Sequence, residues 1–275
     1  MEGNRSRGRP RGQKKEGQGS VAALEKAITV LQVLSRAKGL SLTELSQRAD
    51  LPTATAYRIL TTLEAKGVVH FEDAAQLWSI GIEAFRIGSA FLSRTDILEE
   101  SRPVMQALSA EVNETANLAI LDGTEVVFVS QVETDQPIRA FFRPGTRGRV
   151  HASGIGKALL AFSEESVRER IVSSAPLDGF TQTTITNREA LKLDLSAIRA
   201  RGFAIDNEER TVGMRCIAAP IFDQTGRPVA GISVSGPSVR MPVESDDNIG
   251  AAVKRAASEI SQAIGGTPPM SNGDN

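Results

Sequence analysis

Residues 40–67, LSLTELSQRADLPTATAYRILTTLEAKG, constrain this chain more than any other stretch. Ser41-x-x-Glu44 has capping-box spacing: the Ser41 hydroxyl accepts from the Glu44 amide, and the Glu44 carboxylate accepts from the Ser41 amide. Leu42, Leu45 and Ala49 then recur at helical spacing. Asp50-Leu51-Pro52 ends the pattern, because a residue before proline is driven out of the α region. Pro52 suits the first turn of a new helix, where its missing N–H is no loss. Ala56, Ile59, Leu60 and Leu63 give that helix an apolar face, and Lys66-Gly67 is a C-cap signature. Thr53, Thr55, Arg58, Thr61 and Thr62 are left facing out. Residues 68–71 and 77–80 read as two strands around a polar turn. Two short amphipathic helices also occur in ordinary cores. Followed at once by a hairpin, they have the layout of a winged helix-turn-helix, whose second helix enters a major groove.

The charge distribution points the same way. Residues 1–70 hold 12 Lys+Arg against 6 Asp+Glu; of the chain totals of 32 and 33, that leaves 20 and 27 for the rest. A basic N-terminal part on an acidic body fits a polyanion-binding module attached to something with another task. Residues 1–19 are almost devoid of apolar side chains and are expected to be disordered. Their Arg5, Arg7, Arg9, Arg11, Lys14 and Lys15 either contact phosphates beside the helix-turn-helix or form a solvated tail.

At 275 residues, 40% hydrophobic and 24% charged, the chain has enough apolar material for two ordinary domains. No apolar run is long enough to span a bilayer, and the basic N-terminus lacks the apolar segment of a secretory signal, so a cytoplasmic location is expected. One cysteine excludes an internal disulfide and a cysteine zinc cage. We divide the chain into a basic arm (1–19), a DNA-binding domain (20–80), a linker helix (81–95), a second domain (96–265) and a frayed tail (266–275). The linker carries Ile82, Phe85, Ile87, Phe91 and Leu92, too many large apolar residues for a solvated helix. It is expected to pack on a partner chain.

The second domain mixes helices and hairpins. Helices are expected at 97–112 (broken or begun afresh near Pro103), 154–161, 164–173, 188–201 and 243–264. Strands are expected at 115–121, 125–133, 138–142, 203–205, 216–222 and 229–235. This is an α+β pattern, not a run of βαβ units.

Three stretches there can carry chemistry. In His151-Ala-Ser-Gly-Ile-Gly-Lys-Ala158, small residues open a helix whose free amides and positive dipole end suit a carboxylate, or the glycines only permit close packing. The string is not a P-loop: Gly-x4-Gly-Lys-Ser/Thr spacing is absent. Asp206-Asn-Glu-Glu-Arg-Thr-Val-Gly-Met-Arg-Cys216 leads a charged loop into an apolar strand. Cys216 is either a nucleophile or, more commonly for a lone cysteine among apolar residues, a small buried hydrophobe. In Gly231-Ile-Ser-Val-Ser-Gly-Pro237, alternation puts Ser233 and Ser235 on one face, where a polar ligand or neighbouring backbone must satisfy them. Backbone amides, two hydroxyls, a thiol and Asp206, with no metal cluster and no evident acid/base pair, suit binding of a small carboxylate better than turnover. The competing reading is a small-acid enzyme using Cys216, with the N-terminal part as a DNA tether.

The winged helix, HASGIGKALLAF, DNEERTVGMRCIAAPIFD and GISVSGP, in this order over residues 20–266, resemble the IclR family of bacterial transcriptional regulators. The resemblance implies an N-terminal winged helix-turn-helix and a C-terminal GAF-like effector domain. It also implies a homodimer, often a dimer of dimers (a homotetramer), on palindromic operators. Carried over by motif, the effector site falls on the amides of Gly154 and Ile155, on Asp206, Cys216, Ser233 and Ser235, and on Met214, with Phe141 beside it. No metal and no cofactor beyond the effector is implied. The DNA-reading residues fall on Thr53, Thr55, Tyr57, Arg58 and Thr61, with Arg9 and Arg11 of the arm adding phosphate contacts. The motifs are most similar to members that sense glyoxylate or pyruvate, such as the glyoxylate-bypass and allantoin regulators. Ile155, in place of a small residue, is expected to narrow the site. With Phe141-Phe142 it favours a two- or three-carbon acid, glyoxylate first, over an aromatic one, in the control of a carbon-metabolism operon.

Overall fold

The computed structural model describes residues 21–92, 97–174 and 176–267, with the backbone alone at 89–92. The basic arm with Arg9 and Arg11, the end of the linker at 93–95 and the tail from 268 lie outside the described residues. The chain falls into two compact units, residues 1–94 and 95–275.

The first unit contains α1 (Ala22–Leu34), α2 (Leu42–Arg48), α3 (Thr53–Glu64), the antiparallel pair β1 (Val69–Glu72) and β2 (Leu77–Ile80), and α4 (Ile82–Leu92). The expected capping box forms: the Ser41 amide donates to Glu44 Oε2 at 2.9 Å and the Glu44 amide to Ser41 Oγ at 3.3 Å. Pro52 stands at the N-cap of α3, where no N–H is required. Val30, Leu34, Leu40, Leu45, Leu60, Val69 and Trp78 form one core. Trp78 closes it from the hairpin, facing Phe71 across the strands and exchanging backbone bonds with Leu40 at 2.9 and 2.8 Å.

The second unit is a six-stranded antiparallel sheet with helices on both faces. Its strands are β3 (Thr115–Asp122), β4 (Glu125–Val132), β5 (Arg147–Arg149), β6 (Ala204–Asn207), β7 (Met214–Phe222) and β8 (Pro228–Pro237), in the order β5-β4-β3-β8-β7-β6. On one face α5 (Ile97–Val112) and α9 (Asp246–Ala263) bury Val104, Met105, Leu108, Ile217, Ile232, Val234, Ile249, Val253 and Ile260. On the other lie α6 (Gly154–Phe162), α7 (Glu165–Ser174) and α8 (Arg188–Arg201), with Ile155, Leu159, Leu160, Leu191, Leu195, Ile198 and Ala218. Because both faces are covered, β7 and β8 are buried almost throughout. Ile232 and Val234 face α9 while Ser233 and Ser235 face the other layer, as alternation requires.

Several expected elements differ. No strand forms at 138–142; the third pairing partner of that hairpin is the polar edge strand Arg147–Arg149, which bonds to Glu125–Val127. The apolar Phe142 that suggested a strand instead stacks on Phe128, ring centroids 4.4 Å apart. Helix α5 runs unbroken through Pro103. One lost backbone bond is tolerated there because Val104, Met105 and Leu108 anchor the helix on the sheet and α9. The last helix begins at Asp246, after a short 3-10 turn at Val243–Ser245. Gly266 and Thr267, expected in the frayed tail, are fixed: their amides donate to Ser261 O at 2.6 Å and Asp223 O at 3.2 Å.

Candidate functional site

In the first unit, α3 turns Thr53, Ala54, Tyr57, Arg58 and Thr62 outward and Ala56 and Leu60 into the core. Tyr57 is 51% exposed, its ring on the outward face beside Arg58. The hydroxyls are partly engaged. Thr62 Oγ1 donates to Arg58 O at 2.7 Å, Thr61 Oγ1 to Tyr57 O at 3.1 Å, and Thr53 Oγ1 lies 3.3 Å from Ser46 Oγ. Thr55 is half-buried on the flank beside Ile59. The outward face is therefore an Arg and Tyr surface bordered by methyl groups and acceptor oxygens, suited to base edges and phosphates.

In the second unit, strand register assembles the site. Asp206 pairs with Cys216, and Cys216 with Ser235. Residues paired across a ladder point to the same face, so carboxyl, thiol and hydroxyl stand in one row across three strands. The next row carries Ala218, Ser233 and Asn117. The N-terminus of α6 sits directly on these rows. A Cβ added to Gly154 would lie 2.8 Å from Cys216 Sγ and 3.3 Å from Ala218 Cβ, so only glycine allows this approach. Ser153 caps the helix, its Oγ accepting from the Gly156 amide at 3.3 Å and its carbonyl from Lys157 N at 2.9 Å. Of the four first-turn amides, Gly154 and Ile155 remain without a cap.

A cavity of about 310 Å³ opens at the Gly154 end of the helix. Gly154, Asp206, Met214, Cys216 and Ser235 line it, and so does Phe141. Two expected residues do not. Ser233 is fully buried behind the wall, where Asn117 Nδ2 lies 3.5 Å from its Oγ. The Ile155 side chain points away, packed so closely on β8 that a Cβ at Gly231 would meet its Cγ2 at 2.7 Å. Ile155 therefore does not narrow the cavity; it fills the core beneath it. A second cleft of about 790 Å³ lies between α7 and α8, but three of its arginines are engaged by carbonyl groups: Arg188 donates to Val172 O at 2.9 Å, Arg168 to Ser163 O at 3.2 Å and Arg199 to Ser163 O at 3.4 Å.

Burial pushes the Asp206 carboxyl up to about 6, although the Glu209 amide, donating at 2.7 Å, and Lys157 pull it down. Burial, with the charge of Asp206, pushes the Cys216 thiol up to about 11. Its surroundings are the hydroxyls of Ser235 and Ser233. His151 is turned to Asp178 O at 3.0 Å, and burial holds its imidazole below its ordinary value. A protonated thiol beside hydroxyls is a poor nucleophile.

Two residues were missed in sequence. Asn117 donates to Ser235 Oγ at 3.2 Å and accepts from Gln131 Nε2 at 2.8 Å, holding the hydroxyl row. Its signal was an amide inside the apolar strand TANLAIL. Arg210 also lines the cavity; it lay unremarked among the charges of the Asp206 loop.

The IclR helix-turn-helix domain matches residues 23–73, and the bacterial transcriptional regulator IclR C-terminal domain matches residues 89–262. The HTH-type transcriptional regulator BhcR of Paracoccus denitrificans is 49% identical over 261 residues, 94% of each chain. The HTH-type transcriptional repressor AllR of Escherichia coli K12 is 37% identical over 262 residues, 95% of this chain and 97% of AllR. Among solved structures, Thermotoga maritima IclR is 32% identical, with a TM-score of 0.76 over 88% of this chain and 98% of that one. An IclR homologue from Microbacterium hydrocarbonoxydans, complexed with 4-hydroxybenzoate, is 25% identical, with a TM-score of 0.78 over 88% and 99%. Among the described residues no helix is long and apolar enough to cross a membrane. The chain belongs to the IclR family: it is a ligand-responsive transcriptional regulator that binds DNA through its N-terminal helix-turn-helix, and not an enzyme.

Proposed function

We propose that this regulator controls a carbon-metabolism operon from the cytoplasm in response to a small 2-oxo acid, with glyoxylate the first choice. The observation that carries the reading is the row Asp206, Cys216 and Ser235, of which all three line one cavity together with Gly154 at the start of α6. The amides and the positive end of α6 take the carboxylate. Ser235, the thiol and Asp206 meet the 2-oxo group or its hydrate, and Met214 and Phe141 supply the apolar side. Ser233 supports Ser235 from behind, through Asn117. The sheet with helices on both faces is the scaffold we read as GAF-like.

On the DNA side, a homodimer or dimer of dimers places α3 of two protomers in successive major grooves of a palindromic operator. Arg58 and Tyr57 make the leading contacts, and Thr53, Thr55 and Thr61 support them. Arg9 and Arg11 add salt-dependent affinity. The effector must favour one arrangement of the protein over another, because equal affinity for both shifts nothing.

Calorimetry with glyoxylate on wild type and Ser235→Ala tests the pocket. We expect saturable heat that weakens in the variant. Equal heats, or none with any small 2-oxo acid, would refute the site. A mobility shift on the upstream region of the gene, comparing wild type with Arg58→Ala, tests the DNA face; equal affinity would remove the role given to Arg58.

A further inference from the structure

The cavity presents a difficulty for an anionic ligand: its wall carries the carboxyl of Asp206, 8% exposed. A second carboxylate brought beside it is repelled at short range, and the end of a helix offsets only part of that. A cation at the rim would offset that repulsion. Four line the cavity or lie beneath it and are already engaged by carboxylates. Arg139 Nε is 2.6 Å from Glu133, and Arg147 Nη1 is 3.2 Å from Glu125. Arg215 is 2.9 Å from Asp246. Lys157, beneath the wall, is 2.5 Å from Glu209 and 2.8 Å from Asp194.

Arg210 differs. Among the described residues it makes no ion pair. Its guanidinium carbon sits 4.0 Å above the centre of the Phe180 ring, and both side chains are substantially exposed. Phe180 stacks in turn on the buried His151, centroids 6.0 Å apart. The stack is held from both sides. The Phe180 amide donates to Thr184 Oγ1 at 3.0 Å, Thr184 Oγ1 donates to Glu209 O at 2.6 Å, and Thr181 Oγ1 donates to Glu208 O at 2.8 Å. Those two carbonyls belong to the turn that carries Arg210. The loop bearing the ring and the turn bearing the cation are thus one cross-linked unit. A guanidinium held over a ring keeps N–H groups available to a ligand, and the cation–π contact orients it without neutralising it.

We propose that Arg210, laid on Phe180 at the rim of the cavity, is the specificity-determining cation that makes this pocket select an anionic ligand. This rests on reading the cavity as a small-carboxylate site. Arg210 offsets Asp206 as the ligand enters and donates charge-assisted hydrogen bonds to it. Phe180 is its positioning residue.

The test is calorimetry on the full-length protein with glyoxylate, and with pyruvate against the uncharged pyruvamide. Wild type is expected to bind glyoxylate and to prefer pyruvate over pyruvamide. Arg210→Gln is expected to weaken glyoxylate about tenfold or more and to lose the preference for the anion. Arg210→Lys should retain the preference, and Phe180→Leu should weaken glyoxylate about two- to fivefold. Melting temperatures should be unchanged in the Arg210 variants, since the side chain is exposed. Arg210→Gln matching wild type in affinity and in anion preference would overturn the proposal while leaving the carboxylate site intact. No heat with glyoxylate or pyruvate in wild type would overturn that site, and this inference with it.

Discussion

Lys157 Nζ lies 2.5 Å from Glu209 Oε1, one turn along α6 from the amide of Gly154 and only 1% exposed. Burial alone would lower the ammonium, but Glu209 and Asp194 outweigh it and hold it above its ordinary value. The pair ties α6 to the turn that follows β6 and so fixes the helix end against the cavity wall. Lys157→Met is expected to destabilise the protein by about 3–5 kcal/mol, because it strands buried carboxylates. Adding Glu209→Gln and Asp194→Asn should recover most of that loss. Urea unfolding of the three proteins decides it; Lys157→Met within experimental error of wild type contradicts the account.

Asp206 makes stability depend on pH. Its folded value is raised from 3.8 to about 6, so between those values the folded state holds a proton that the unfolded state has lost. Stability therefore falls as pH rises through that window and is level above it. The full loss is about 3 kcal/mol. Asp206→Asn should close this gap: the variant matches wild type near pH 3.5 and exceeds it by up to about 3 kcal/mol at pH 7. Denaturant midpoints measured from pH 3.5 to 7 should diverge in that direction; parallel curves would reject the burial of this carboxyl.

Gly154 leaves no room for a side chain. Gly154→Ala places its Cβ 2.8 Å from Cys216 Sγ, and Gly154→Val adds methyl groups against Ala218. Overpacking of this kind costs about 1–3 kcal/mol and lifts the uncapped amides off the row they face. Effector binding should fall sharply in both variants, while the N-terminal unit retains its affinity for DNA in the absence of ligand. Calorimetry and mobility shifts on the same preparations separate the two effects.

Which parts of this were legible in sequence follows from what is local. The capping box at Ser41 and the proline at the start of α3 are decided by neighbours in the chain, and the box stands where spacing placed it, with Pro52 one position earlier, at the N-cap. Alternation also put Ser233 and Ser235 on one face. The rest depends on contacts between distant segments. Phe142 is apolar and reads as part of a strand, yet it lies outside any strand and stacks on Phe128 of β4. Arg147–Arg149 has no apolar alternation at all, and edge strands commonly carry charge. The direction of the Ile155 side chain depends on the bare backbone at Gly231, which only the packing of α6 on β8 reveals. Arg210 acquires its meaning from Phe180, thirty residues away in sequence.

Cys216 offers a probe of the cavity. With its thiol pushed up to about 11, it is almost wholly protonated at pH 8. Alkylation by iodoacetamide at pH 8 should be at least about tenfold slower than that of a free small thiol. It should accelerate as pH approaches 11 and slow further when glyoxylate is present. Rapid labelling at pH 7 would show a thiolate and reopen a chemical role for this residue.

The ladder that sets Cys216 opposite Ser235 has a consequence for the fidelity of the switch. A slip of one residue between β7 and β8 would turn Arg215 and Ile217 toward α6 and Cys216 and Met214 toward α9. The DNA-reading unit, with its own core around Leu45, Leu60 and Trp78, takes no part in that ladder. Such a molecule would still occupy an operator but would be deaf to the metabolite. Correct strand registration is thus a condition for a responsive molecule, and the ion pair of Arg215 with Asp246 on the α9 side enforces it.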